Sequence, residues 1–206
     1  MKIAVMSDIH GNIYALMKTL EDIDEQRVDK IICLGDLVGY GPHPNEVIAL
    51  IRRREIPCIR GNYDASVVDG DFTFIRNTAI NSFALPWTCE EVRVSNKYYL
   101  ASLPTSLKYT FNGINILFTH GSPNAINEYL FEDAENTKKV MTEYEGDVLV
   151  CAHTHIPFTK KFNNKTLINV GSVGKPKIGK PNPTYTIIEI KDNGEIVVQV
   201  RYLEYE

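Results

Sequence analysis

The chain reads as an α/β protein built on a mostly parallel sheet with helices on its faces, and two observations carry that reading. In the first third, short apolar runs alternate with helically spaced segments, and each run ends in a polar turn instead of a hairpin. Residues 3–5 lead into Ser7-Asp8-Ile9-His10-Gly11-Asn12, residues 30–34 (KIICL) into Gly35-Asp36-Leu37-Val38-Gly39, and residues 56–59 (IPCI) into Arg60-Gly61-Asn62-Tyr63-Asp64. The second half then adds antiparallel pairs, marked by Asn-Gly and Asn-Asn turns between alternating runs.

Taken in order, the first strand opens on a helix with Ile13, Leu16, Met17 and Leu20 on one face. Residues 30–34 form a continuous apolar run, as in a strand buried on both faces. Pro44 suits the first turn of a second helix, carried by Val47, Ile48 and Ile51 and closed by Arg52-Arg53-Arg54, which complement the helix dipole. Residues 56–59 form the third strand. From residue 65 to 104 the pattern is helical: Ile80, Phe83, Ala84 and Trp87 share a face toward the sheet, and Thr88-x-x-Glu91 reads as a capping box that opens a further helix toward Leu103. Residues 107–111 and 114–119 make a hairpin about Asn112-Gly113, and a helix with Thr137, Val140, Met141 and Tyr144 on one face precedes a buried strand at 147–151. A hairpin about Asn163-Asn164, the loop Gly171-Ser172-Val173-Gly174 and a strand pair turning at Asp192-Asn193-Gly194 complete the chain.

At 206 residues with 44% hydrophobic and 23% charged content, the chain suits one domain, 1–206, with a sizeable core. Lys+Arg 22 against Asp+Glu 26 gives a net charge of −4, which offers no broad attraction for long nucleic acid or an anionic membrane. No apolar run reaches membrane-spanning length. The segment after Met1 reads as a buried strand, so a cleaved leader is not expected. Cys33, Cys58, Cys89 and Cys151 show no CxxC spacing; core thiols in a cytoplasmic protein are the expectation.

The chemistry lies at the strand ends. Asp8 and His10, Asp36, Asn62, His120, then His153 and His155 all follow strands, and four of the five histidines fall at such positions. Asp-x-His alone is also compatible with an Asx-turn beside a surface histidine; recurrence at five strand ends is what favours a site at the carboxyl edge of the sheet. Alternation along an extended backbone would send Asp8 and His10 to the same side. A mixed His/Asp/Asn set without thiolate suits two divalent ions, manganese foremost, with iron, zinc or nickel also compatible. His43 stands apart and reads as a helix-start surface residue.

Asp8-x-His10, Gly35-Asp36-x-x-Gly39, Gly61-Asn62-Tyr63-Asp64, Thr119-His120-Gly121 and His153-Thr154-His155 together resemble, in order and approximate spacing, the calcineurin-like metallophosphoesterase family, in particular its small bacterial and archaeal phosphodiesterase-like branch. The resemblance implies a four-layer sandwich of two mixed β-sheets flanked by helices. It implies that Asp8, His10 and His155 hold one metal, that Asn62, His120 and His153 hold a second, and that Asp36 bridges them. Two such ions, ~3.5–4 Å apart, share a hydroxide poised for in-line attack on phosphorus. Asn12 and Arg60 are candidates for holding non-bridging oxygens, Arg60 being equally suited to a surface salt bridge; Tyr63 and Asp64 complete the candidate catalytic set. The expected substrate is a small phosphate ester or nucleotide, and a homo-oligomer is compatible with the sequence.

One position departs from the family, whose third motif usually carries a histidine where this chain has Tyr63. An imidazole titrates near 6.5 and a phenol near 10, so Tyr63 is the weaker proton donor at neutral pH. Substrates whose leaving group needs little protonation, above all aryl or nucleotide-linked diesters, are therefore expected. The same departure keeps a second class open: a retromer subunit of this fold also lacks the histidine and acts as a scaffold for protein partners. Lys175 and Lys177, after the glycine loop, are open to either of two readings, substrate contact or a solvated turn.

Overall fold

The computed structural model describes residues 1–204. Four strands, β1 (Lys2–Met6), β2 (Lys30–Cys33), β8 (Thr184–Ile190) and β9 (Ile196–Tyr202), form one sheet in the order β2-β1-β8-β9. The other five, β3 (Ser106–Phe111), β4 (Ile114–Thr119), β5 (Val148–Cys151), β6 (Phe158–Phe162) and β7 (Lys165–Asn169), form a second sheet in the order β3-β4-β5-β7-β6. Both sheets are mixed, not one mostly parallel sheet as the first third suggests: β1–β2, β4–β5 and β5–β7 run parallel, while β8 beside β1 and the hairpin partners pair antiparallel.

Strand alternation explains why the sheets stack. In β1, Ile3 and Val5 face the second sheet and pack with Phe118, Val148, Val150, Ile168 and Ile188. Ala4 and Met6 face the opposite way, into a core built with helices α1 (Ile13–Glu25), α2 (Pro44–Arg53), α3 (Asn62–Asp69), α4 (Ala79–Glu91) and α5 (Val94–Ser102). The outer face of the second sheet is closed by α6 (Glu135–Glu143), whose Val140 and Met141 cover Leu149, Cys151 and Leu167. The result is four layers: helices, sheet, sheet, helix.

Four local expectations change. Residues 56–59 contribute a single parallel bridge, Cys33 to Cys58, because Pro57 has no N–H to extend a ladder. On α1 the buried face is Ala15, Leu16, Thr19, Leu20 and Ile23, and Met17 is turned to solvent. Thr88 opens no helix: it lies inside α4, its hydroxyl donates to the Ala84 carbonyl at 2.6 Å, and α5 starts instead after Arg93. The buried face of α4 is Asn81, Ala84, Leu85 and Thr88, leaving Ile80 and Phe83 exposed and Trp87 half-buried. A polar residue decides the orientation of that helix, because Asn81 has partners on the inner side that are described below. Cys33, Cys58 and Cys151 are buried free thiols, as expected.

A charged cluster fastens α1 to the last strands. Arg201 on β9 donates to both Asp22 carboxylate oxygens, at 2.7 and 3.2 Å, and the hydroxyl of buried Tyr185 on β8 donates to the same group. Burial alone would raise the Asp22 carboxyl, but these donors overcome it and hold the group below its ordinary value. A depressed carboxylate stabilises the fold above its unfolded value of about 3.9, and that share is lost as pH falls through the folded value. Asp22→Asn is therefore expected to lower stability by about 1–3 kcal/mol at pH 7. Thermal melts across pH should show the gap to wild type closing below about pH 4.

Candidate metal centre

The site begins with loops that leave the strands in an unusual backbone conformation. Asp8, His10 and Asp36 have φ of 53°, 51° and 52°, and His153 and His155 have 64° and 62°. Asp8 and His10 therefore do not come together by extended alternation, as the sequence suggests. Each sits in the left-handed region, which costs a non-glycine residue roughly 1–2 kcal/mol. What holds the first loop there is a backbone ladder with the second: Asp8 N–H to Gly35, His10 N–H to Asp36 and Gly11 N–H to Leu37, at 3.0, 2.9 and 2.8 Å. From the other side, Val173 N–H, Gly174 N–H and the Ser172 hydroxyl, all at 2.9 Å, bind the Ser7 and Asp8 carbonyls. The glycine loop is thus a brace for Asp8.

Seven side chains from four loops and the start of α3 converge here, all buried: Asp8, His10, Asp36, Asn62, His120, His153 and His155. His10 Nδ1 meets the Val38 carbonyl at 3.0 Å, His120 Nδ1 that of Leu34 at 2.7 Å, and His155 Nδ1 that of Lys175 at 2.6 Å. A carbonyl only accepts, so each Nδ1 carries a proton and each ring turns its Nε2 inward, where it can offer a lone pair to a cation. His153 is reversed. Its Nε2 faces the Asn127 carbonyl at 3.2 Å, which leaves Nδ1 for the centre.

Those inward atoms crowd. His10 Nε2 and His155 Nε2 are 3.4 Å apart, Asp8 Oδ1 is 3.1 Å from His155 Nε2 and 3.6 Å from His10 Nε2, and Asp36 Oδ2 is 3.3 Å from His120 Nε2. Asn62 Oδ1 lies 2.9 Å from His120 Nε2. Asp8 Oδ1 and Asp36 Oδ2 are buried and accept no well-formed hydrogen bond. Lone pairs facing buried carboxylate oxygens call for a cation between them. Two sets offer donors within 4.8 Å of one another, Asp8 with His10 and His155, and Asp36 with His120 and His153. Their nitrogen and oxygen chemistry fits a pair of divalent ions, and the carbonyls behind the rings supply the outer support such ligands need.

The field of the site keeps the carboxylates ionised. Burial would raise Asp8 and Asp36, yet the neighbouring imidazoles, His155 foremost for Asp8 and His120 for Asp36, hold both below the ordinary range. Burial disfavours charge on His120, and Asp36 beside it outweighs that, bringing it up to about 10; a divalent ion at Nε2 would take the place of the proton that Asp36 otherwise favours there. Burial and the nearby His120 push His153 down to about 3.

The candidate catalytic residues separate. Asp64 holds loops in place: Oδ1 accepts from Leu37 and Val38 N–H at 2.9 and 3.3 Å, and Oδ2 from Gly61 N–H at 3.0 Å. Burial and Asp36 raise it to about 7. Gly61 is required because an added Cβ would lie 2.1 Å from Asp36 Oδ1. Asn12 caps α1, its Oδ1 accepting from Ala15 N–H at 3.1 Å while Nδ2 reaches the Gly174 carbonyl at 3.4 Å. Among the described residues Arg60 forms no salt bridge. Its Nε donates to the Leu100 carbonyl at 3.2 Å and its guanidinium to Ala101, so it caps the end of α5. His43 starts α2 with its ring against Tyr14, as expected.

Tyr63 does lie at the centre, its ring edge-on to His10 at 4.9 Å between centroids. Its hydroxyl donates to Asn81 Oδ1 at 3.0 Å and shares a hydrogen bond with the Tyr40 hydroxyl, while Asn81 Nδ2 donates to the Arg76 carbonyl at 2.8 Å. Burial and Tyr40 push the phenol above its ordinary value. A cleft of about 210 Å³ opens over Tyr63, His153 and His155, and its wall adds Tyr40, Phe74, Arg76, Tyr129, Lys175 and Lys177. Of these, the sequence brought forward only the two lysines. Arg76 and Tyr129 lie on irregular loops whose residues repeat with no period, and the one available signal was an arginine two residues after the aromatic pair Phe72 and Phe74.

Fold and site together define a phosphoesterase built around paired donor sets for metal. The calcineurin-like phosphoesterase superfamily domain matches residues 1–193, and the chain belongs to that family. An uncharacterized protein of Methanocaldococcus jannaschii is 36% identical over 97% of this chain and 87% of its own. Phosphodiesterase YfcE of Escherichia coli is 27% identical over 97% of both chains. A metallophosphoesterase from Sphaerobacter thermophilus superposes with a TM-score of 0.82 at 28% identity, covering 100% of this chain and 89% of that one. Vps29 of Entamoeba histolytica, at 19% identity and a TM-score of 0.55, shares the fold. Among the described residues no helix is long and apolar enough to cross a membrane.

The new partners of Arg60 give a direct test. Arg60→Ala is expected to cost about 1 kcal/mol of stability by thermal melting, with bound metal, counted by elemental analysis, unchanged.

Proposed function

We propose that this protein is a two-metal phosphodiesterase acting on small phosphate esters. The observation that carries the reading is the buried cluster itself, in which three Nε2 lone pairs, a reversed His153 and two carboxylates face one another. In this reading Asp8, His10 and His155 hold one ion, Asn62, His120 and His153 the other, and Asp36 contributes to both, with manganese the first choice. Bound there, the ions would supply an activated water at neutral pH and neutralise phosphoryl oxygens. The protein's own part is to fix the donors and to keep both carboxylates ionised. It also presents the cleft over Tyr63 to the ester.

Tyr63 supports the preference for diesters. A phenol already donating to Asn81 and raised by burial is a poor acid for an alkoxide leaving group. Aryl diesters, which leave as weakly basic phenolates, need no such acid. The scaffold alternative draws only on likeness of fold to Vps29.

Hydrolysis of an aryl phosphodiester, an aryl monoester and an alkyl monoester should be measured after chelation and manganese add-back. Activity on the diester should vanish on chelation, return with manganese, and fall by about 10²-fold or more in Asp36→Asn. Tyr63→His should raise alkyl ester turnover by about tenfold or more, since a positioned general acid is worth about 10²–10⁴. Wild-type turnover of the alkyl monoester equal to that of the aryl diester would contradict the assignment.

A further inference from the structure

The cleft above the metal centre has a charge pattern that hydrolysis of a simple ester does not need. Arg76, Lys175 and Lys177 line one wall, and no Asp or Glu lines any part of it. The chain carries a net charge of −4, so a cleft lined by three cations and no acid runs against the average. Among the described residues none of the three forms a salt bridge; Arg76 and Lys175 face aromatic rings instead. The Lys175 Nζ lies 3.2 Å from the centroid of the Tyr40 ring, and the Arg76 guanidinium 5.2 Å from that of Tyr129. Tyr129 in turn stacks on His153 at 4.0 Å, so Arg76 stands one ring away from a candidate metal ligand.

Arg76 is also held in position by the site. The loop that carries it is tied at Phe74, whose carbonyl accepts from Asn62 Nδ2 at 3.2 Å, and at Arg76, whose carbonyl accepts from Asn81 Nδ2. Asn62 is itself in the donor cluster and Asn81 is hydrogen-bonded to Tyr63. Bringing like charges together costs free energy; Asp8 beneath the cleft offsets part of it for Lys177, and an anion in the cleft would return more.

Resting on the phosphodiesterase reading, we propose that Arg76, Lys175 and Lys177 form a subsite for a second anionic group of the substrate. The preferred substrates are then phosphodiesters that carry a further phosphate a short distance from the scissile one, with Arg76 and Lys177 setting the preference. Tyr129 and Phe74 offer apolar faces for the part of the substrate that links the two groups.

Two compounds with one leaving group separate this from the chemistry: thymidine 5′-(4-nitrophenyl phosphate) and the same diester bearing a 3′-phosphate, assayed by nitrophenolate release from manganese-loaded protein. The 3′-phosphate should raise kcat/KM by about tenfold. That ratio should fall toward one in Arg76→Ala and Lys177→Ala and drop below one in Arg76→Glu, while Arg76→Lys keeps part of it. Calorimetric titration with thymidine 3′,5′-bisphosphate and thymidine 5′-phosphate reads the subsite without turnover. The bisphosphate should bind about tenfold more tightly, and Arg76→Ala should remove the difference. If neither diester is hydrolysed but the bisphosphate preference holds, the phosphodiesterase reading fails and the anion subsite stands. Equal affinity for the two nucleotides, or a preference unmoved by both alanine variants, overturns the subsite.

Discussion

The constraint on which the rest of the structure depends is the burial of two ionised carboxylates among imidazole lone pairs. Asp8 and Asp36 are fully buried, and each keeps one oxygen that accepts no well-formed hydrogen bond. Such an arrangement would ordinarily relax by moving side chains or taking up protons. It is prevented from doing so by the surrounding backbone. Three carbonyls fix the ring tautomers, Tyr63 N–H at 2.8 Å and His153 N–H at 3.3 Å fix the outer carboxylate oxygens, and Asp64 ties the loop of Asp36 to that of Gly61. The left-handed conformations at five of these residues are the local cost of aiming so many donors at one point. Two stacked sheets with residues buried on both faces are rigid enough to bear it.

Much of this was legible in the chain. Alternating apolar runs gave the strands, Asn112-Gly113 and Asn163-Asn164 marked hairpins that formed where expected, and the polar strand ends gave all seven members of the buried cluster. What sequence could not give was the local means of convergence. The spacing of Asp8 and His10 suggested extended alternation, whereas a ladder between residues far apart in the chain bends the loop and sets their direction. Tertiary hydrogen bonding also reversed the reading of α4. Its apolar residues Ile80 and Phe83 were the natural inner face, yet Asn81 turns inward because Tyr63 and the Arg76 carbonyl await it. Arg60 shows the same limit: the carbonyls at the end of α5 that it binds lie some forty residues away in the chain, out of reach of a local reading.

The tyrosine at position 63 links these observations. Its phenol belongs to a chain of hydrogen bonds that runs from Tyr40 through Asn81 to the loop of Arg76, so the residue that departs from the family pattern also shapes the cleft wall. One side chain thereby touches both the donor cluster and the wall of the cleft. Neither contact is visible from the residue in isolation.

Anomalous diffraction from crystals grown with manganese would show whether the buried cluster seats two cations. Two peaks per chain are expected, one bonded to Asp8, His10 Nε2 and His155 Nε2, the other to Asn62, His120 Nε2 and His153 Nδ1, with Asp36 touching both. A single peak, or full manganese exposure with none, would contradict the two-metal reading.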